Sequence, residues 1–338
     1  MRVGNNPEKE KSILKVDSYH RIIIPIYIPN LKEDYFKDSL KILKLCLDSL
    51  LLTIHSKTKI SLINNGCCNE VKVYLENIYS SNIHIDQLLN SKINLGKVNA
   101  LYSAIKSNLE PIVTISDADV MFLPNWQKEV ENIINGMPQA GMVSPVPSSL
   151  GYRNEAINST VYYGFFRGKM QFSDVVNPEG LKNFQNSIGR ENMYNEQHLK
   201  KYLTISNKKV KAVLGCGHFV ATFRSEVFKN APNEVCKFKI VGGSEGDYLD
   251  FPNDKGGFLR LATLGNFAYH LGNKQEDWMI DEFKKINSTT INHVLLLELT
   301  TLKTISRFGY FIGMIFRKVF LKKIKKQFFN FKGMKKSF

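Results

Sequence analysis

Beyond Glu298 the sequence has no acidic residue at all, and other absences narrow what the chain can be. No apolar run reaches the roughly 18 residues that a membrane-spanning helix needs. The stretch Met1–Asp17 is polar and lacks the apolar centre of a secretory signal, so the expected location is the cytoplasm. The five cysteines, with Cys67 and Cys68 adjacent, fit neither a disulfide framework nor a metal-ligand spacing. No Gly-x-Gly-x-x-Gly turn, Walker lysine loop or Gly-x-Ser-x-Gly elbow occurs, which argues against dehydrogenase, P-loop and serine-hydrolase chemistry. There is no internal repeat and no low-complexity tract. What is present is an ordinary globular balance, 43% hydrophobic and 23% charged over 338 residues, enough to bury a core and to exclude wholesale disorder.

The net charge of +15 is concentrated at one end. Eleven of the 46 basic residues follow Glu298, which leaves 35 basic against 31 acidic residues, a net of +4, for everything before. In this tail Lys303, Arg307, Arg317, Lys318, Lys322, Lys323, Lys325, Lys326, Lys332, Lys335 and Lys336 interleave with Phe308, Phe311, Phe316, Phe320, Phe328, Phe329 and Phe331. Such a pattern suits an amphipathic helix on an anionic bilayer, each basic residue near the surface contributing about 1 kcal/mol. The expectation is a peripheral protein held through residues 299–338 at the inner face of the cell membrane. A terminal helix docked on the body is the alternative. Nucleic acid is not an expected partner, because no reader motif accompanies the charge.

Before the tail, strand and helix alternate. HRIIIPIYI, residues 20–28, is a β-branched run typical of a buried parallel strand, with Pro25 and Pro29 limiting its length. Helical spacing follows over 34–54, then a strand over 59–63 stopped by Asn64-Asn65-Gly66. Helices over 70–79, 96–107 and 126–134 alternate with strands over 83–88, 111–115 and 140–144. This βαβ rhythm predicts an α/β fold, a mostly parallel sheet flanked by helices, with ligands beyond the carboxyl ends of the strands. Residues 145–213 read as a loop-rich excursion.

Asp117-Ala118-Asp119 sits directly after the strand PIVTIS. Two carboxylates one residue apart at a strand end can face one hard cation, Mn²⁺ or Mg²⁺, and leave positions open for phosphate oxygens. Lys97, after Gly96 at a helix start, is a candidate to face such phosphates.

Seven segments in order resemble glycosyltransferases of the GT-A fold, especially the inverting, DxD-containing family 2. They are IIIPIY, LINNGCCNE, NLGKVNALYSAI, SDADVMFLPNW, GHFVATFRSEVF, EGDYLDFPNDKGG and YHLGN, spanning about residues 20–273. The resemblance implies a Rossmann-like GT-A domain over 18–285, after a polar lead-in over 1–17. Its nucleotide-sugar half would cover 18–145 and its acceptor half 146–285, with a basic amphipathic helical tail over 286–338. It implies a metal-dependent hexosyl- or N-acetylhexosaminyltransferase that moves a sugar, with inversion, from a nucleotide diphosphate sugar, UDP-linked first, to a glycan or lipid-linked acceptor in surface polysaccharide or lipooligosaccharide assembly.

The same resemblance assigns roles. Pro25, Tyr27, Asn64, Asn65, Lys97, Asp117 and Asp119 would bind the donor. Asp119, His270 and Asp117 would hold the metal. Asp247 would be the base, with Glu245 able to supply the carboxylate where Gly246 replaces the first member of the family's acidic pair. Asn64 and Asn65 stand where the family often has an acid. His218, Trp126 and Trp278 read as packing residues. A non-catalytic scaffold and a sugar-nucleotide nucleotidyltransferase are the rival readings; the latter normally has a Gly-rich basic loop where this chain has PIYIPN.

Overall fold

The computed structural model describes residues 3–6, 9, 13–240, 243–289, 291, 295, 296 and 298–334. Parts of the polar lead-in, and Lys335, Lys336 and Phe338 of the tail, lie outside the described residues. The chain adopts the expected α/β architecture, a mostly parallel sheet flanked by helices with a basic amphipathic helical tail.

The first half runs β1 (His20–Ile26), α1 (Ser39–Thr53), β2 (Thr58–Asn65), α2 (Asn69–Ser81), β3 (Ile85–Ser91), α3 (Lys97–Ile105) and β4 (Ile112–Ser116). These strands are parallel in the order β3-β2-β1-β4. Ile22, Ile23 and Ile24 of β1 are fully buried because helices cover both faces, which is why the strand reads as a continuous apolar run. Pro25 is tolerated because β4 pairs with β1 only as far as Ile23, so the missing amide breaks no ladder on that side. Two expectations shift. Helix α1 begins at Ser39, after turns over 34–38. Strand β2 continues through Asn64 and Asn65, whose side chains are hydrogen-bonded to Asn90 and Asn94; Gly66, at φ 92°, makes the turn.

The second half runs β5 (Val120–Phe122), α4 (Trp126–Gly136), β6 (Ala140–Ser144), α5 (Asn158–Phe166), β7 (Lys169–Asp174), α6 (Pro178–Ser187), α7 (Glu196–Lys200), β8 (Lys201–Ser206), β9 (Lys211–Leu214) and β10 (Val220–Arg224). There follow α8 (Phe251–Lys255), β11 (Leu259–Ala262), β12 (Ala268–His270), α9 (Asp277–Ser288), α10 (Arg307–Lys318) and α11 (Lys325–Phe331). The sheet extends as β4-β10-β6-β11-β9-β8-β7, with β10, β9 and β7 running against the rest. Residues 145–213 are therefore more regular than a loop-rich excursion. Their strands are short and mix polar with apolar residues, so no clear period marks them. Trp126 is fully buried and its indole N–H donates to Thr53 Oγ1 at 3.1 Å, a packing role as expected.

The tail docks on the body. Helix α10 lies on α5, closely enough that a Cβ on Gly313 would stand 2.0 Å from the Asn158 carbonyl oxygen. Arg317 is buried and donates to Asn158 Oδ1 at 2.8 Å. Phe316, Phe320 and Phe328 pack around Phe165. The outward side keeps Phe308, Phe311 and Ile315 exposed, at the helical spacing of one face. Among the described residues no helix is long and apolar enough to cross a membrane.

Candidate active site

The carboxyl ends of β1, β2 and β4 open into a cavity of about 810 Å³. Pro25, Tyr27, Asn65, Lys97, Asp117, Asp119 and His270 all line it. A second cavity of about 910 Å³ adjoins it, floored by Cys216, His218, Asp250 and Arg260. Ile188, Gly189 and His270 belong to both walls. Both volumes lie in the range that takes a small-molecule ligand. Asn64 is buried and does not reach the cavity; its amide oxygen accepts from the Cys67 N–H. Asn65 spends its oxygen on the Leu95 N–H.

Local pairing brings Asp119 and His270 together. Strand β12 pairs with β5, setting His270 opposite Val120, and the Leu271 N–H donates to the Asp119 carbonyl at 2.8 Å. His270 Nε2 then stands 3.6 Å from Asp119 Oδ2. The other ring nitrogen, Nδ1, is 3.0 Å from Ser187 Oγ. Ser187 gives its own proton to the Phe184 carbonyl, so it accepts from Nδ1–H. In the neutral ring the proton is thereby placed on Nδ1, and a lone pair on Nε2 faces a carboxylate. Asp119 Oδ1 is sealed from solvent and has no hydrogen-bond partner among the described residues. Burial, with Asp117 adding to it and His270 and Lys97 opposing, raises this carboxyl to about 6.

Lys97 joins this cavity to its neighbour. Gly96 turns at φ 83° under the Phe238–Lys239 backbone, where a side chain would meet main-chain atoms at 3.0 Å, and Lys97 emerges at the first turn of α3. Its ammonium pairs with Asp117 and lies 2.5 Å from Glu245 Oε1. Glu245 Oε2 is 3.1 Å from His218 Nε2, His218 Nδ1 is 3.3 Å from Asp250 Oδ2, and that oxygen is 2.9 Å from Arg260 Nη1. Charges thus alternate along Asp117, Lys97, Glu245, His218, Asp250 and Arg260. Burial pushes Glu245 up, but the His218 hydrogen bond and the Lys97 and His218 charges outweigh it and hold it down at about 2. Burial lowers His218, yet bonds to Asp250 and Glu245 raise it to about 9.

Asp247 is exposed and lines neither cavity. The reason is a π turn over Gly246–Asp250, whose hydrogen bonds run from i to i+5. Glu245 and Asp250, five apart, share its inner side, and Asp247 turns outward. The sequence alone reads His218 as structural and gives Asp250 no role. The available signal was a second acid, three residues beyond Asp247 in the same segment.

His20, His55 and Glu131 form another group of ligand-type atoms, within 4.8 Å of one another. This one is satisfied as a hydrogen-bond network. The Lys57 N–H donates to His55 Nδ1, so the ring proton lies on Nε2 and is given to Glu131 at 3.0 Å. His20 bridges Glu131 at 2.7 Å and Thr114 at 2.6 Å. It lies at the other end of β1 from Pro25 and Tyr27.

No protein-family model matches the chain, and no curated protein sequence matches it. Among solved structures it is similar to the mannosyltransferase PcManGT from Pyrobaculum calidifontis in complex with GDP-Man and Mn²⁺, at 13% identity and a TM-score of 0.46, covering 94% of this chain and 73% of that one. It is also similar to S. aureus TarS 1-349, at 12% identity and a TM-score of 0.41, covering 79% of this chain and 62% of that one. For TarS 1-349 in complex with UDP-GlcNAc the values are 11% and 0.42, covering 80% and 64%. The chain thus spans less than two thirds of the length of either TarS structure.

Proposed function

We propose that the chain is a metal-dependent glycosyltransferase of the GT-A type, inverting, that transfers a hexosyl or N-acetylhexosaminyl group from a nucleotide diphosphate sugar to a hydroxyl of a glycan or lipid-linked acceptor. The observation that carries this reading is the Asp119–His270 pair. A carboxylate and the imidazole Nε2 face one another at 3.6 Å, and the other oxygen of that carboxylate is buried without a partner among the described residues. Two such electron-rich groups are stabilised by a cation between them, and a nitrogen beside oxygen favours Mn²⁺ over Mg²⁺. Asp119 and His270 would hold the ion, with Asp117 as a more distant ligand. When bound, it would supply Lewis-acid stabilisation of the leaving diphosphate.

The protein's own groups account for the rest. Asn65, Pro25 and Tyr27 shape the strand-end cavity for the nucleoside, UDP first, and Lys97 offers its ammonium to the phosphates. The adjoining cavity takes the acceptor. Glu245 is the better-placed base of the two expected carboxylates, because it contacts Lys97 on the donor side and His218 on the acceptor side. Lys97 and His218 keep it ionised, the form a base requires. When the diphosphate draws Lys97 away, Glu245 loses a cationic partner and gains basicity, which ties proton removal to donor binding. The exposed face of the tail, Phe308, Phe311 and Ile315 beside Lys318 and Lys322, would rest on the anionic inner face of the cell membrane, where surface glycans are assembled on lipid carriers.

The test is a thermal-shift panel of UDP, GDP, CDP and CMP, each with Mn²⁺ and with chelator. Ligand at 100 times its Kd stabilises by about 2.7 kcal/mol. The expected result is a Mn²⁺-dependent shift with one diphosphate; no shift with any nucleotide would overturn the reading.

A further inference from the structure

The cavity beside the Asp119–His270 pair has an uneven charge balance. Its wall carries Arg153, Arg190, Arg260 and His218 against Asp250 and Glu191. Asp250 is already engaged by Arg260 and His218. Among the described residues neither Arg153 nor Arg190 has a carboxylate within ion-pair distance, and both are exposed to the cavity mouth.

Arg153 is also oriented. Its Nε donates to Tyr152 Oη at 3.1 Å and its guanidinium lies 5.6 Å from the centre of that ring, so the bond that fixes it leaves both terminal nitrogens uncommitted among the described residues. Lys325 of α11 stands over the same ring at 5.6 Å, which brings the basic tail to the rim of the cavity. The positive field is felt beneath: buried His198 is held down at about 4, by burial first and then by Arg153 and Lys325.

Two further features describe what fits. Phe184 and Phe219 stack at 5.3 Å and offer an apolar wall to a ring. Asp250 Oδ1, on the floor, is buried and has no hydrogen-bond partner among the described residues, although the rest of its carboxylate is held by Arg260 and His218. It is an acceptor awaiting a donor, such as a sugar hydroxyl.

We infer that this cavity takes an acceptor that carries an anionic group, phosphate or carboxylate, bound by Arg153 and Arg190, with a sugar hydroxyl turned toward Asp250. The inference deepens the acceptor side of the proposed transfer and rests on that reading only for the name acceptor; the anion site stands on its own geometry.

The experiment is equilibrium binding to the full chain, without nucleotide. The probes are glucose 6-phosphate, glucuronic acid and farnesyl phosphate, with glucose as the neutral reference. The variants are Arg153→Gln/Arg190→Gln and a control pair of exposed arginines outside the cavity, Arg167→Gln/Arg307→Gln, which removes the same charge. Charge-assisted bonds of this kind contribute about 1.5–3 kcal/mol, so anionic probes should bind about tenfold or more tighter than glucose. That advantage should fall about tenfold in the site pair and hold in the control pair. Glucose 6-phosphate winning over farnesyl phosphate identifies a phosphorylated or acidic sugar; the reverse identifies a lipid phosphate. Equal binding of glucose and all anionic probes, no binding by any of them, or equal losses in both pairs would overturn the inference. Because no donor is present, failure of the nucleotide panel leaves this result standing, and the converse holds.

Discussion

Lys97 Nζ lies 2.5 Å from Glu245 Oε1 while also pairing with Asp117, so one ammonium neutralises a carboxylate of the strand-end cavity and one that contacts His218 of its neighbour. The lysine side chain is only 15% exposed, and burial would expel its proton were the two acids not there to raise its pKa. Removing one member of a fully buried pair costs about 3–5 kcal/mol, and this site is partly wet. Lys97→Gln should therefore destabilise the fold by about 2 kcal/mol in urea denaturation. Adding Glu245→Gln should return about half of that loss, because a repelling charge goes with it. Purely additive losses would show that the two groups are not coupled.

Asp119 has the opposite character. Its carboxyl is raised to about 6, so the fold opposes the charge that the chain carries at neutral pH. Its contribution is unfavourable above that value and vanishes as pH falls below the ordinary carboxylate range. Asp119→Asn should stabilise the metal-free protein at pH 7.5 by about 1 kcal/mol, roughly 1–2 °C in Tm for a chain of this length. The same change should abolish the extra stabilisation given by Mn²⁺ with nucleotide. A variant that loses Tm and keeps the Mn²⁺ effect would contradict a cation role.

Three acids in one segment separate the candidate bases. Loss of a general base costs about 10²–10⁴-fold in turnover. Glu245→Gln should lose at least about 100-fold in sugar transfer with the Kd for nucleotide changed little. Asp247→Asn, on the outer side of the π turn, should keep most of the activity. Asp250→Asn should raise KM for the acceptor more than it lowers kcat, since Asp250 lines that cavity and positions His218. Full loss in Asp247→Asn with folding intact would restore the base expected from sequence.

His218 gives the pH signature. Its folded-state value of about 9 exceeds the ordinary imidazole value, because Asp250 and Glu245 outweigh burial. The stability it confers is complete below the ordinary value near 6.5 and is lost as pH rises through about 9. Thermal melts of the chain and of His218→Gln should show their widest Tm gap at pH 6 and a gap that closes between pH 8 and 10. A constant gap would mean that His218 acts by packing alone.

Much of this site was legible in the sequence, for definable reasons. An apolar strand followed by Asp117-Ala118-Asp119 fixes where the carboxylates emerge, and period-based reasoning locates β1, β2 and β4 to within two residues. Pro25, Tyr27, Asn65, Lys97, Asp117, Asp119 and His270 converge on one cavity because each lies in the last residues of a strand, just beyond one, or at the start of a helix. Sequence ranks Asp247 ahead of Glu245, because an inserted π-turn residue leaves no mark in composition yet decides which acid faces inward. His218 was undervalued because its partners, Glu245 and Asp250, lie 27 and 32 residues away and only the fold brings them together. The tail shows the same limit: alternation of Phe and Lys does not say which rings the body covers.

That division of the tail can be tested ring by ring. Phe316, Phe320 and Phe328 are spent on Phe165, whereas Phe308 and Phe311 are 72% and 52% exposed and share a face with Ile315. Phe308→Ser/Phe311→Ser/Ile315→Ser should leave the unfolding free energy within about 0.5 kcal/mol of the parent, as surface changes do. It should also weaken binding to anionic vesicles by about tenfold or more, since each buried apolar side chain contributes about 1.5–3 kcal/mol. Gly313→Ala should do the reverse of the first: its Cβ would stand 2.0 Å from the Asn158 carbonyl, so α10 must lift off α5 at a cost of about 1–3 kcal/mol. Lifting exposes Phe316 and Phe320 as well, so vesicle binding should hold or strengthen while stability falls. If the triple variant binds vesicles like the parent, the exposed stripe is not the membrane contact, and the tail is a docking element alone.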